Sequence, residues 1–125
     1  MKELIAESYL LLFWTGFVIK FRSLQALHRQ VQKMEVGNPS SNQLHSTDNI
    51  CHSMDLACVF YPKQVLCLQR SAATTILLRR HGLRAEMVIG AQMLPFKSHA
   101  WVEVGGVVVN DKPYIREIYQ VLERC

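Results

Sequence analysis

Three residues of this 125-residue chain have the types and the order that nucleophilic acyl transfer requires. Cys67 is predicted in the first turn of a helix, His99 on a strand and Asp111 on the next strand. Unpaired backbone N–H groups and the positive dipole end of a helix N-terminus stabilise a thiolate. A histidine can take the thiol proton, and a carboxylate can orient the imidazole. The pattern therefore predicts a cysteine site that works through a thioester.

The contact between His99 and Asp111 depends on the hairpin turn at Gly105-Gly106. A two-residue loop places Asp111 opposite Ala100. A three-residue loop with a glycine bulge places it directly opposite His99, where the Cβ atoms lie ~4.5–5.5 Å apart. A cysteine site of this kind therefore predicts a hairpin loop with an odd number of residues.

Several neighbouring side chains are candidates for supporting roles. The backbone N–H of the nucleophile can donate one hydrogen bond to an oxyanion, and Gln64 or Gln69 can supply the second. Trp101 and Glu103 share a strand face with His99. Trp101 is expected to pack against the imidazole or the core, because aromatic side chains bury large areas. Glu103 is expected to be a solvated strand residue.

Composition excludes several classes of function. The net charge of +4 is mild and scattered, and aromatic residues do not alternate with the basic ones, so nucleic-acid binding is not expected. Four cysteines lack the close pairing of a zinc site, so neither a metal nor a cofactor is expected. Nothing marks the chain as secreted, which predicts reduced thiols in a cytoplasmic protein. The cysteines are Cys51, Cys58, Cys67 and Cys125.

The N-terminal part is predicted to form one amphipathic helix over residues 4–35, ended by Gly37 and Pro39. Its apolar stripe is expected to face the core and consists of Leu10, Phe13, Phe17, Phe21, Leu24, Leu27, Val31 and Met34. The first half is apolar nearly all round, so a partner or a membrane surface is the alternative occupant. Acidic residues before the run and Lys20 after it leave less than the ~20 apolar residues of a membrane span.

The whole chain, residues 1–125, is predicted to be one α+β domain in three parts. Residues 1–36 hold the apolar helix, and residues 37–61 hold a polar loop and a short helix that ends at Tyr61-Pro62. Residues 62–125 form the catalytic core, with the nucleophile-bearing helix packed on a small antiparallel sheet. Its predicted elements are a helix over 65–81 capped by Gly82, strands over 84–90, 98–104 and 107–111, and a short helix or tail over 115–124.

The residues of this core closely resemble a known family, the B2 leader peptidases of lasso-peptide biosynthesis. The resemblance covers roughly residues 62–111 and is strongest in the run Phe96-x-x-His-Ala-Trp-Val-Glu-Val-x-Gly. The spacing of Cys67, His99 and Asp111 also agrees with the family's pattern. The resemblance implies a transglutaminase-like, papain-like cysteine protease, with these three residues as nucleophile, base and orienter.

The resemblance also implies a substrate and partners. A peptidase of this family removes the leader from a ribosomally made precursor, and a separate cyclase then joins the freed amine to an acidic side chain. A small recognition protein binds the leader and is sometimes fused to the peptidase. This chain resembles the stand-alone form and should need that protein as a partner. The cyclase and a membrane surface are further candidate contacts.

Two other functions remain open from the residues alone. The first is acyl transfer to an amine, as in a transglutaminase or an arylamine acetyltransferase, because the same thioester can be resolved by an amine instead of water. The second is a non-enzymatic adaptor that docks through the N-terminal helix and leaves Cys67 inert. Selective alkylation of Cys67 at mildly acidic pH separates the enzymes from the adaptor.

Overall fold

A computed structural model describes residues 2–21, 24–33, 47–62, 65, 67–93, 96–111 and 114–125. Its elements are α1 (Lys2–Phe21), α2 (Leu24–Lys33), α3 (Thr47–Phe60), α4 (Cys67–Arg80), β1 (Ala85–Met93), β2 (Phe96–Val104), β3 (Val107–Val108), α5 (Ile115–Ile118) and β4 (Gln120–Arg124). The strands form an antiparallel sheet in the order β3-β2-β1-β4. The predicted fold class, helices followed by a helix packed on a small antiparallel sheet, is confirmed.

The face of α1 that packs on the core is not the predicted one. Leu10, Phe13 and Phe17 are exposed, Leu10 by 69%. The buried stripe of α1 consists of Leu4, Ser8, Leu11, Leu12, Thr15 and Val18. The hydroxyls of Ser8 and Thr15 donate hydrogen bonds to the carbonyls of Leu4 and Leu11, at 2.6 and 2.9 Å. These two polar residues are therefore satisfied within their own helix and can be buried at little cost.

The described part of the helix predicted over 4–35 consists of α1 and α2, and residues 22–23 and 34–35 lie outside the described residues. Val31 of α2 is fully buried, as its place in the stripe predicted. Its carbonyl accepts a hydrogen bond from Nη1 of the buried Arg79 at 2.5 Å. Arg79 also donates to the carbonyls of Ala85 and Cys125, at 2.9 and 2.8 Å. One guanidinium thus joins the end of α4 to α2, to the start of β1 and to the residue after β4.

Helix α4 is the central element of the fold. Residues 71–79 are all buried, because α1 and α3 pack on one side of α4 and the sheet packs on the other. The helix ends at Arg80, one residue before the predicted end, and Gly82 follows it with a φ of 84°, a left-handed value that glycine adopts without strain. The N–H of Leu83 then donates to the carbonyl of Leu78 at 3.0 Å, which satisfies one of the last helical carbonyls.

The two faces of the sheet contribute to separate cores. Met87 and Val102 are paired across β1 and β2 and pack with the helices. Val88 and Trp101, the next pair, face the other side and pack with Ile115 of α5. Strand β4, which the sequence reading treated as a short helix or tail, pairs with β1 at the other edge of the sheet.

The hairpin between β2 and β3 differs from the prediction. Val104 pairs with Val107, so the loop contains two residues and not three. Gly105 and Gly106 have φ of 59° and 80°, the left-handed values of a type I′ turn. The expected odd-length loop is therefore wrong. A type I′ turn is favoured because its twist matches that of the strands and two glycines adopt it without strain.

Candidate active site

His99 and Asp111 are brought together in the structure. Nε2 of the half-buried imidazole lies 2.6 Å from Oδ2 of the Asp111 carboxylate. Because an ionised carboxylate only accepts hydrogen bonds, Nε2 carries the proton. Within the described residues, the second nitrogen Nδ1 makes no hydrogen bond. An imidazole held in this way presents Nδ1 as a base on the side away from the carboxylate.

This contact forms despite the two-residue turn, because the regular backbone pairing with β2 stops after Val109 and does not continue to Asp111. The N–H of Val109 still donates to the carbonyl of Val102 at 3.0 Å. The return bond from the N–H of Val102 goes to Oδ1 of Asn110 at 2.7 Å. The side-chain amide of Asn110 thus replaces a backbone carbonyl, and the chain leaves the ladder there. Asp111 is displaced from the position opposite Ala100 and reaches His99.

Cys67 is exposed and is the first residue of α4, as predicted. One helical turn later on the same face, Ser71 donates a hydrogen bond to the carbonyl of Ala100 at 3.0 Å. This bond fixes the first turns of α4 against β2 beside His99. Within the described residues, no hydrogen bond joins Cys67 to His99. The structure therefore brings together the imidazole of His99 and the carboxylate of Asp111, and it places the helix that carries Cys67 next to the strand of His99.

Two aromatic rings stack near the imidazole. The ring of Tyr119 lies 5.4 Å from that of His99 at an interplanar angle of 27°, and the ring of Trp101 lies at 6.3 Å and 28°. Two rings at these angles pack against the imidazole and restrict its orientation. Sequence reasoning missed Tyr119. The available signal was the alternation of Tyr119 and Val121, which both pack with the second core.

Trp101 and Glu103 form a buried polar pair behind the site. Trp101 is fully buried, as expected, and its Nε1 donates to Oε2 of Glu103 at 2.9 Å. Glu103 is 1% exposed, so its expected solvation is wrong. Burial alone raises the pKa of this carboxyl, but hydrogen bonds from Arg124 and Trp101 and the charges of Arg124 and Arg116 outweigh burial and hold the pKa below its usual value.

The oxyanion donors proposed from sequence are only partly located. Gln69 is buried, and its Nε2 donates to the carbonyl of Leu12 in α1 at 2.8 Å. This bond gives the amide of Gln69 a structural contact with the neighbouring helix, and its role as an oxyanion donor stays a prediction. Gln64 lies outside the described residues. The backbone N–H groups of the first turn of α4, at Cys67, stay predicted donors.

The other cysteines differ from Cys67 in exposure. Cys51 is buried, and Cys58 and Cys125 are partly buried. Burial raises the pKa of the Cys58 thiol, with Arg70 lowering it and Asp55 raising it to smaller extents. A thiol in that setting is a weak nucleophile. Among the described residues, no three His, Cys, Asp or Glu side chains are grouped closely enough to hold a metal ion.

The described helices were also compared with the requirements of a membrane span. No helix in those ranges is both long enough and apolar enough to cross a bilayer.

Comparisons with known proteins complete the description. The family model of the transglutaminase-like superfamily matches residues 11–124 of this chain. The microcin J25-processing protein McjB of Escherichia coli is 45% identical over 56 residues. The matched residues are 45% of this chain and 27% of McjB, so the chain matches about a quarter of that relative's length. No solved structure matches.

Proposed function

Because this chain belongs to the transglutaminase-like superfamily, we propose that it is a cysteine peptidase that removes the leader from a ribosomally synthesised lasso-peptide precursor. The hydrogen bond between His99 Nε2 and Asp111 Oδ2 carries this proposal. It leaves the opposite nitrogen of the ring available to a thiol, and Cys67 is the exposed thiol of the adjoining helix. The name of McjB, a processing protein for microcin J25, supports the choice of a peptide substrate.

The first half of the reaction forms a thioester. Nδ1 of His99 takes the proton of the Cys67 thiol, and the sulfur attacks the carbonyl carbon of the leader–core peptide bond. Backbone N–H groups in the first turn of α4 donate to the oxyanion as it forms. The carbon–nitrogen bond then breaks, and the leaving amine of the core peptide receives the proton from Nδ1. Asp111 stabilises the imidazolium between these two proton transfers.

The second half releases the leader. Nδ1 of His99 takes a proton from water, and the resulting hydroxide attacks the thioester carbon. The carbon–sulfur bond breaks, the thiolate of Cys67 takes the proton back from Nδ1, and the leader leaves as a carboxylic acid that ionises in water. Throughout, Tyr119 and Trp101 lie against the imidazole and limit its rotation. Hydrolysis differs from amine transfer only at this stage, so the resolving nucleophile distinguishes the two functions.

We propose two macromolecular partners, the precursor peptide and a leader-binding recognition protein. The exposed apolar side chains of α1 support an association with another protein, since soluble proteins rarely expose a large contiguous apolar patch without a use for it. Leu10, Phe13 and Phe17 are three such side chains on neighbouring turns. The macrolactam-forming cyclase is a further candidate, which co-purification with each protein separately would identify.

The test is incubation of the chain with a precursor peptide and its recognition protein, followed by mass spectrometry. We expect free leader and free core peptide with wild type and neither product with Cys67→Ala. Cys58→Ala is the matched control and should cleave normally, because Cys58 lies on α3 away from His99. Cleavage that survives Cys67→Ala would remove this thiol from the reaction.

A second measurement separates hydrolysis from the alternatives. The reaction is repeated with a primary amine in excess, and the mass of the leader product is determined by mass spectrometry. A leader that carries only the mass of water supports hydrolysis, and a leader bonded to the amine supports acyl transfer. The adaptor function predicts no cleavage and no selective alkylation of Cys67 by iodoacetamide at mildly acidic pH.

A further inference from the structure

We infer that Asn110 and Ser71 are positioning residues that set the geometry between Cys67, His99 and Asp111. Neither side chain is placed to touch the reacting atoms. Each hydrogen-bonds to a segment that carries one of the three proposed catalytic residues. The inference rests on the proposed function for its catalytic consequence, whereas the geometry stands on the observed hydrogen bonds.

The first positioning contact is made by the side-chain amide oxygen of Asn110. It accepts from the N–H of Val102 at 2.7 Å, in place of the backbone carbonyl that a continuing ladder would offer. Because the side-chain oxygen takes the place of the backbone carbonyl, β3 ends after Val108 and the N–H of Val102 still has a hydrogen-bond partner. The chain direction after Asn110 therefore depends on its side chain, and Asp111 is the next residue.

The second positioning contact is made by the amide nitrogen of the same side chain. Nδ2 of Asn110 donates to Oγ of Ser71 at 3.3 Å, and that hydroxyl donates onward to the carbonyl of Ala100 at 3.0 Å. Ser71 is buried, so its bond to Ala100 is shielded from water, and the bond from Asn110 is partly buried. A buried hydroxyl that accepts one bond and donates another is held in one rotamer.

Together the bonds close a ring through three elements. It runs from the N–H of Val102 through Asn110 and Ser71 to the carbonyl of Ala100, which is two residues back on the same strand. The ring therefore links α4, β2 and the segment that follows β3. Cys67 lies one turn before Ser71, so a displacement of that turn moves the thiol relative to His99.

Three variants separate the links of this ring. Asn110→Ala removes both bonds of the amide. Asn110→Asp keeps an acceptor for Val102 and removes the donor to Ser71. Ser71→Ala removes the hydroxyl with little change in volume. Ser53→Ala is the matched control, since Ser53 is equally buried in a helix and bonds only to a carbonyl of its own helix, that of Asn49, at 2.9 Å.

Two readouts are made on each folded variant, the steady-state kinetics of precursor cleavage and the pH profile of Cys67 alkylation by iodoacetamide. We expect Asn110→Ala and Ser71→Ala to lower kcat about 10- to 100-fold with KM changed less than about threefold, because small misplacements of reacting groups have effects of this size. The alkylation profile of Cys67 should differ from that of wild type, because the first turn of α4 is displaced relative to His99. Ser53→Ala should change neither readout.

The inference fails if Asn110→Ala and Ser71→Ala, both folded, match wild type in kcat and in the alkylation profile. It also fails if Ser53→Ala reproduces their effects, because that would indicate general loosening of the fold. If Asn110→Ala does not fold, Asn110→Asp and Ser71→Ala decide by the same criteria. Alkylation needs no precursor, so a wild-type chain without peptidase activity would refute the proposed function while the positioning inference is still tested.

Discussion

Gly90 lies directly opposite His99 in the antiparallel pairing of β1 and β2. A Cβ atom at Gly90 would lie 2.7 Å from Cη2 of Trp101 and 2.9 Å from Cβ of Tyr119. Both distances are shorter than any ordinary carbon–carbon contact. The missing side chain therefore makes room for the two rings that stack on the imidazole, so β1 contributes to the site without supplying a functional group.

Gly90→Ala should consequently reduce both stability and activity. The added methyl group must displace Trp101 or Tyr119, and overpacking of this kind costs about 1–3 kcal/mol of unfolding free energy. Urea unfolding measures the loss, and precursor cleavage measures the effect on His99.

Gly105→Ala is the control, because a Cβ there meets no atom within 4 Å and only strains the backbone at φ of 59°. It should cost about 1–2 kcal/mol and leave cleavage unchanged. Equal activity of the two variants would contradict the packing argument.

Asp111→Asn should abolish most of the cleavage while the chain stays folded. An amide in place of the carboxylate no longer stabilises an imidazolium and can favour the wrong tautomer of His99, so kcat should fall by about two to four orders of magnitude. Circular dichroism checks the fold, and initial rates give kcat. Asp55→Asn provides the comparison, since Asp55 is an exposed aspartate paired with Arg70 on the helices. An Asp111→Asn variant as active as Asp55→Asn would exclude the orienting role.

Glu103→Gln should lower stability in a pH-dependent way. The pKa of Glu103 is held below its usual value in the folded chain, so its contribution is present above the ordinary pKa of 4.5 and is lost as pH falls through the lower folded value. At pH 7 we expect the variant to lose about 2 kcal/mol, the scale of hydrogen bonds to a charged group.

Urea unfolding between pH 7 and pH 3 measures this dependence, and the gap between wild type and Glu103→Gln should narrow below about pH 4.5. Glu86→Gln is the matched variant, since the exposed Glu86 bonds to the same Arg124 at 3.3 Å. It should cost less than about 0.5 kcal/mol. A gap that widened on acidification would have the wrong sign for a lowered pKa.

Gln69→Ala distinguishes a structural amide from an oxyanion donor. The substitution removes the hydrogen bond to Leu12 and leaves a cavity in place of a buried side chain, which should cost about 1–3 kcal/mol of unfolding free energy. Cleavage at a temperature well below the unfolding midpoint should keep kcat within about threefold of wild type, whereas loss of an oxyanion donor lowers kcat about 10²- to 10³-fold. The exposed Gln32→Ala serves as the reference for both measurements. A fall of a hundredfold in kcat would restore the catalytic role.

Local patterns predicted the elements around the site well. The strong apolar periodicity and the glycine stop gave α4 within two residues at its N-terminus, and strand alternation placed His99 and Trp101 on one face. The contact between His99 and Asp111 was also expected, but by the wrong route. The side-chain amide of Asn110 replaces a backbone carbonyl because it meets the edge of β2. A local sequence pattern holds no information about that neighbouring strand.

Non-local features were missed for the same reason. Strand β4 is stabilised by pairing with β1, whose residues are far away in the chain, so its own five residues carry only a weak alternation. The face of α1 was misassigned because Ser8 and Thr15 look polar in a sequence pattern. Their hydroxyls bond to their own helix, and the stripe they share with Leu11 is the one that packs.

The strand order β3-β2-β1-β4 has a consequence for the order of folding. Strands β1, β2 and β3 follow one another along the chain, whereas β4 must bring Arg124 back to Val88. Closing short loops costs less entropy, so we expect the meander that contains His99 and Asp111 to form before β4 docks. Hydrogen exchange during refolding should then protect the amide of Val109 ahead of that of Cys125, which bonds to Met87. The imidazole and its carboxylate would meet first, and Tyr119 would cover them last.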